Sequence, residues 1–230
     1  MTLILCAMKL EAKPFLKALE RPELKKSASY RVYYGEIAGT KVLVAICGVG
    51  MDRATAAVES LLGNHDISRV IMSGTACGID SRLDIGDTVV SEEILFYNKT
   101  ENLLQSDVQD ANGTAFRADE LLLDTVRTAI EKDPPDQPVY YGRIVTGKSF
   151  VTRKIRDIIA GSFNPLCADM ETAAIARVCH MKGVPFIAVR SISDNADSSG
   201  FTAFIRYASL ASKHSYIVVR QLLSEMGCVG

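Results

Sequence analysis

The sequence predicts an α/β fold: one domain spanning 1–230, with a central mixed twisted sheet flanked by helices. Three observations predict it. Apolar runs of strand length alternate with runs of helical period along nearly the whole chain. Two adjoining runs, 30–38 and 41–47, are separated by Gly39-Thr40, which signals a hairpin. A strand–helix–strand unit over 166–193 implies a right-handed crossover between parallel strands. A length of 230 residues suits one domain better than two.

The elements follow in order. Residues 2–8 read as a strand and 10–20 as a helix, where Pro14 is tolerated only near the first turn. After the hairpin, Gly48-Val49-Gly50 leads into a helix over 52–62, with Ala54, Ala57, Val58, Leu61 and Leu62 at helical spacing. A short buried strand over 69–73 runs into Gly74-Thr75-Ala76-Cys77-Gly78, and another covers 87–96. Residues 97–117 are polar and irregular, a loop long enough to expect a functional role. A helix over 118–132 stops before Pro134, Pro135 and Pro138; a strand over 139–146 and a short helix over 153–159 follow. The crossover unit comprises strand 166–170, helix 171–181, Gly183 as its C-terminal cap, and strand 185–193. A long amphipathic helix over 201–223 closes the pattern.

Composition narrows the function. Lys plus Arg number 26 and Asp plus Glu 27, a net charge of −1 with no block of like charges. That balance points away from nucleic acid and anionic membranes as partners. No apolar stretch reaches the roughly 20 residues that span a bilayer, and no secretory leader is expected at the N-terminus. The six cysteines lack any Cys-x-x-Cys pair and mostly lie in apolar runs, so buried free thiols in a reducing cytoplasm are expected. The three histidines are scattered, which argues against a metal site.

Three acids carry the chemistry. Glu11, Glu171 and Asp194 each stand where an apolar strand-like run gives way to a helix-like run, and ligands of open α/β sheets bind at the carboxyl ends of strands. Neighbouring strands lie about 4.8 Å apart, or twice that with one strand between, so Glu171 and Asp194 fall within reach of one small ligand. A carboxylate in such a position can instead merely cap a helix. Asp194 follows a very apolar strand, where burial should raise its pKa and suit it to general-acid work. The glycine clusters at 48–50 and 74–78 either cradle a phosphate through backbone amides or permit tight turns.

Taken in order, Ala7-Met8-Lys9-Leu10-Glu11, Gly48-Val49-Gly50, Ser73-Gly74-Thr75-Ala76-Cys77-Gly78, Ile85-Gly86-Asp87-Thr88-Val89-Val90, Ala168-Asp169-Met170-Glu171-Thr172-Ala173 and Arg190-Ser191-Ile192-Ser193-Asp194-Asn195-Ala196-Asp197 resemble the 5′-methylthioadenosine/S-adenosylhomocysteine nucleosidases of the nucleoside phosphorylase superfamily. The resemblance covers nearly the whole chain. It implies a nucleoside phosphorylase-like fold and hydrolysis of the bond between ribose and adenine, without cofactor, in a cytoplasmic homodimer of the methionine salvage route. Asp194 matches the acid that protonates the leaving base, oriented by Ser193. Glu171 matches the residue that holds the ribose hydroxyls, with Met170 packed on the sugar. Glu11 matches the general base for water, with Arg190 and Thr75 in support. Phe150 matches the ring stacked on adenine and Val151 the backbone that reads its edge. Met8, Val49 and Phe201 match the lining of the 5′-alkylthio pocket.

Met72 stands where phosphorylases of the superfamily carry an arginine, and Glu11 would repel phosphate but activate water. Hydrolysis is therefore expected over phosphorolysis. A futalosine-type hydrolase, a purine nucleoside phosphorylase and a nucleoside-binding protein without turnover are the alternatives. Two places depart from the family: Asp169 replaces a longer glutamate, and 97–116 lacks the aromatic, glycine-containing loop that helps close a neighbouring subunit's 5′ pocket. The turn from 197 to 201 is also short.

Overall fold

The computed structural model describes residues 1–27, 30–97, 115–196 and 200–228. Strand β1 (Thr2–Cys6) leads to α1 (Lys9–Ala18). Strands β2 (Glu20–Ser27), β3 (Tyr30–Ile37) and β4 (Thr40–Ile46) then form an antiparallel meander. Helix α2 (Met51–Asn64), strand β5 (Arg69–Gly78), strand β6 (Thr88–Phe96) and the two-residue strand β7 (Phe116–Arg117) follow. The remainder is α3 (Glu120–Lys132), β8 (Val139–Thr146), α4 (Arg153–Phe163), β9 (Cys167–Asp169), α5 (Thr172–Lys182), β10 (Phe186–Asp194) and α6 (Gly200–Cys228). The expected mixed sheet is present, with helices on both faces. Alternate residues of β1 show why: Leu3 and Leu5 pack with α2 and α5, while Ile4 and Cys6 pack with α1 and α6.

The sheet closes on itself at one end. β5 pairs with β10, β10 with β6, β6 with β8, β8 with β9, and β9 returns to β5, making a ring of five strands. From β5 the sheet continues outward through β1, β4, β3 and β2.

Closure corrects one expectation. β9 pairs antiparallel with β5 and β10 pairs parallel with it, so the two strands of the crossover unit run in opposite directions. They flank β5 from either side at Cys77, which is partnered by Ala168 on one edge and Asp194 on the other. Chain leaving the carboxyl end of β9 thus turns back along β5, and this brings Glu171 to Arg190, whose Nη2 is 3.2 Å from its carboxylate. The helix between them ends as expected, at Gly183 in the left-handed region (φ 65°).

Other differences are local. β5 does not stop at Ser73 but continues through the glycine cluster to Gly78. Pro14 lies in the second turn of α1, and the helix runs on to Ala18 because Ala12 and Phe15 are fixed in the core. The charged segment 20–27, which has no alternating apolar pattern, is an edge strand. The hairpin turn falls at Ala38 and Gly39, both with positive φ, one residue earlier than the sequence implies. All six cysteines are free, and Cys228 alone of them is exposed. Among the described residues no helix is long and apolar enough to cross a membrane. The loop expected over 97–117 and the short turn at 197–201 fall largely outside the described residues.

Candidate active site

A pocket of about 240 Å³ opens where the ring of strands meets β1 and the start of α2. Glu11, Glu171 and Asp194 all line it, as do Met8, Val49, Thr75, Phe150, Val151, Met170, Ser193 and Phe201. Every expected site residue except Arg190 is on its wall.

Glu11 is the third residue of α1 and is 2 % exposed. One carboxylate oxygen accepts the amides of Ala7 and Met8, each at 2.9 Å, closing the first turn of the helix. The other accepts the Thr75 amide at 2.8 Å and the Thr75 hydroxyl at 3.0 Å. The capping role is therefore real, yet only one of its two oxygens is used for it.

Arg190 lies behind the wall, fully buried in β10. Its Nε donates to Asp169 at 2.8 Å, and Nη2 reaches Asp169 at 2.6 Å and Glu171 at 3.2 Å. Nη1 has no partner among the described residues. Burial works against the guanidinium charge, but the carboxylates of Asp169, Glu171 and Glu11 outweigh it and push its pKa up. Gly74 makes the approach possible. A Cβ there would sit 2.4 Å from Glu11 Oε1 and 2.6 Å from Arg190 Nη1. The cluster at 74–78 is thus neither a phosphate cradle nor a tight turn at this residue; the bare strand backbone lets the Glu11 carboxylate and the Arg190 guanidinium both pack against it.

Glu171 sits at the N-terminus of α5, 4 % exposed, with Oε1 accepting the Gly50 amide at 2.8 Å. Burial pushes its pKa up to about 7, against the opposing pull of Arg190. Gly50 (φ 101°) and Gly48 (φ 86°) supply the left-handed backbone that aims this amide at Glu171. The shorter Asp169 accepts from Thr146 Oγ1 at 2.6 Å and from Thr172 Oγ1, besides holding Arg190. It braces α5 and the guanidinium together.

Asp194 closes β10 and is 1 % exposed, more buried than its sequence position implies. The register between β10 and β5 slips after Ile192, so Asp194 and not Ser193 stands opposite Cys77. Such a bulge re-aims side chains at a strand end. Ser193 Oγ lies 3.1 Å from Asp194 Oδ2, and the Ala196 amide 3.3 Å from Oδ1.

The opposite wall is apolar. Phe150 is 37 % exposed, and its ring meets Phe201 and Phe204 edge-on at 6.1 and 6.0 Å. Phe204 was not legible as a site residue, although it follows Phe201 by one helical step. Tyr97 was missed as well: its ring covers Gly147, where a Cβ would lie 2.1 Å from the ring, and so supports the loop that carries Ser149, Phe150 and Val151. Cys77 lines the pocket beside Asp194.

Chemically, the pocket pairs a polar floor of carboxylates, backed by the Arg190 guanidinium, with an aromatic wall suited to a planar ring. The phosphorylase superfamily profile matches residues 2–224. The 5′-methylthioadenosine/S-adenosylhomocysteine nucleosidase of Shewanella frigidimarina is 31% identical over 227 residues, covering 97% of this chain and 98% of that one. The enzyme of that name from an Exiguobacterium species is 32% identical over 206 residues, covering 86% and 88%. Among solved structures, the nucleosidase of Neisseria meningitidis in complex with methylthio-immucillin-A superposes with a TM-score of 0.89 at 25% identity, covering 97% of this chain and 98% of that one. Futalosine hydrolase of Helicobacter pylori shares the fold, with a TM-score of 0.88 at 22% identity and 97% of both chains covered.

Proposed function

This chain belongs to the phosphorylase superfamily, among the 5′-methylthioadenosine/S-adenosylhomocysteine nucleosidases, and from that premise we propose how its pocket hydrolyses the N-glycosidic bond and releases adenine. It is an N-glycosyl hydrolase. The observation that carries the mechanism is the convergence of Glu11, Glu171 and Asp194 on one pocket with an aromatic wall.

Adenine is a poor leaving group as an anion. Asp194 delivers a proton to the base at N7, with Ser193 orienting the carboxyl group; their 3.1 Å contact supports this. Phe150 stacks on the ring and the Val151 backbone reads its edge. As the bond lengthens, the ribose gains oxocarbenium character, which nearby carboxylates stabilise. Glu171 accepts from the ribose hydroxyls, and Met170 packs on the sugar.

Water attacks the opposite face of C1′. Glu11 takes its proton, and Arg190 Nη1 orients it from behind. Among the described residues the Thr75 hydroxyl is the one rotatable donor on Glu11, and turning it away frees an acceptor site for the water. Phosphate is a poor substitute. Three carboxylates, Asp169, Glu171 and Glu11, surround the guanidinium of Arg190, and Met72 is buried in the core.

Met8, Val49 and Phe201 receive the 5′-alkylthio group. Val49 (42 %) and Phe201 (65 %) leave apolar surface exposed at the pocket mouth, Ile205 (66 %) extends it one turn further along α6, and a second copy of the chain covers it in a homodimer. The whole chain acts as one domain, needs no cofactor and works in the cytoplasm in methionine salvage.

The test is adenine release from a panel of 5′-substituted adenosines, with and without phosphate. Free adenine and a reducing sugar at equal rates in both conditions are expected. A ribose 1-phosphate product would overturn the hydrolytic mechanism.

A further inference from the structure

Cys77 is the thiol closest to the chemistry, and the steps above leave it unused. It is 5 % exposed, lines the pocket, and is the register partner of Asp194 across the bulge. Its single S–H has two acceptors within reach: the Gly78 carbonyl, 3.6 Å from the sulfur, and the Asp194 side chain. The thiol cannot serve both at once.

The choice between them depends on the state of Asp194. A neutral carboxyl group gives a weak donor little reason to leave a carbonyl. An ionised carboxylate in a site this buried draws any donor that can turn to it, because charge-assisted hydrogen bonds are roughly twice as strong as neutral ones. Asp194 becomes that carboxylate when its proton passes to the base. We propose that Cys77 is a positioning residue for this proton transfer: its S–H rotates from the Gly78 carbonyl to Asp194 as the carboxyl group gives up its proton to the purine. The interaction forms as charge develops and is weak before it, which is the condition for lowering a barrier. No bond to sulfur is made or broken.

Other groups facing the thiol do not confuse the assignment. Cys167 comes from β9, Tyr97 from the end of β6, and Arg156 from α4. Burial holds Cys167 and Tyr97 neutral across the working range, and it pushes the Cys77 thiol itself well up, an effect Asp194 reinforces. Arg156 keeps a constant charge, so Asp194 is the neighbour that changes.

The inference rests on Asp194 as the acid, and the experiment separates the two claims. In Cys77→Ala the ionised carboxylate loses a donor, so the acid weakens. Its kcat should fall about three- to tenfold, the effect of one modest hydrogen bond to a charge. The alkaline limb of the kcat–pH profile should move up by about half to one unit, since tenfold corresponds to one unit. Cys77→Ser should move the limb below the wild-type position, because a hydroxyl is the stronger donor. A loss of packing alone would not move the limb in opposite directions in the two variants. An unmoved limb in Cys77→Ala, or equal impairment in both variants, overturns the proposal. If the alanine variant fails to fold, the serine variant decides: a limb unmoved from wild type counts against the thiol. Asp194→Asn runs in parallel. If it is inactive while the limb of Cys77→Ala stays put, only the thiol's role fails; if it is active, the acid assignment fails and takes this proposal with it.

Discussion

At and just behind the floor of the pocket Glu11, Asp169, Glu171, Arg190 and Asp194 are each at most 6 % exposed, whereas at its mouth Val49, Phe150 and Phe201 are between 37 % and 65 % exposed. The floor is tied together by hydrogen bonds from five parts of the chain: Ala7 and Met8, Gly50, Thr75, Thr146 and Thr172. The mouth is held by ring contacts among Phe150, Phe201 and Phe204. A buried charge is tolerable only when partnered from several sides, so geometry at the floor is over-determined. An exposed aromatic face is satisfied by any apolar surface, so the mouth can vary while the chemistry stays.

Four experiments would break or sharpen this contrast. The largest effect is expected at Asp194. Asp194→Asn should lower kcat by about 10²–10⁴, the contribution of a general acid, while calorimetry still shows one cooperative transition. Retained turnover would remove the floor's main function. Next is Arg190→Met, which leaves Asp169 and Glu171 buried without their cation. Denaturant unfolding should report a loss of about 3–5 kcal/mol. A loss under about 1 kcal/mol would mean that the floor's charges do not depend on one another.

The third tests Glu171. Its pKa of about 7 stands above the ordinary 4.5. If the ionised form holds the ribose, binding of a non-hydrolysable nucleoside should tighten as pH rises from 6 to 8, by up to about tenfold per unit below the midpoint. Stability should move the other way. Between 4.5 and 7 the folded state binds more protons than the unfolded one, so this group's contribution is full below 4.5 and is lost as pH rises through 7. Glu171→Gln should remove both dependences, and a pH-independent affinity in the wild type would contradict them. The smallest effect is expected at the mouth. Phe201→Ser with Ile205→Ser should shift the chain toward monomer in sedimentation and raise KM for 5′-methylthioadenosine about five- to tenfold, with kcat changed less than about threefold. An equal loss of kcat would show that mouth and floor are not separable.

Legibility in the sequence divides along the same line. Strand β8 was readable to the residue, because Val139–Thr146 is a clean apolar run bounded by Pro138 and Gly147. The three acids were readable because each stands close to the end of an apolar strand run, and Phe150 only through the family resemblance. Arg190's arrangement was not, since its partners Asp169 and Glu171 are distant in sequence. The edge strand Glu20–Ser27 was invisible because an edge needs no apolar alternation. Tyr97 and Phe204 gave no signal beyond being aromatic.

By itself the sequence determined the alternation of elements, the buried strands and the positions of the acids at strand ends, all of which depend on patterns a few residues long. Only the tertiary structure decided the closure of β5, β10, β6, β8 and β9 into a ring, the opposite directions of β9 and β10, and the packing of Glu11 and Arg190 against Gly74. Those features are set by which strand pairs with which, and pairing is chosen by the packing of the whole sheet. The acids could be located from the chain alone, but the reason they converge lies in the strand that runs between them.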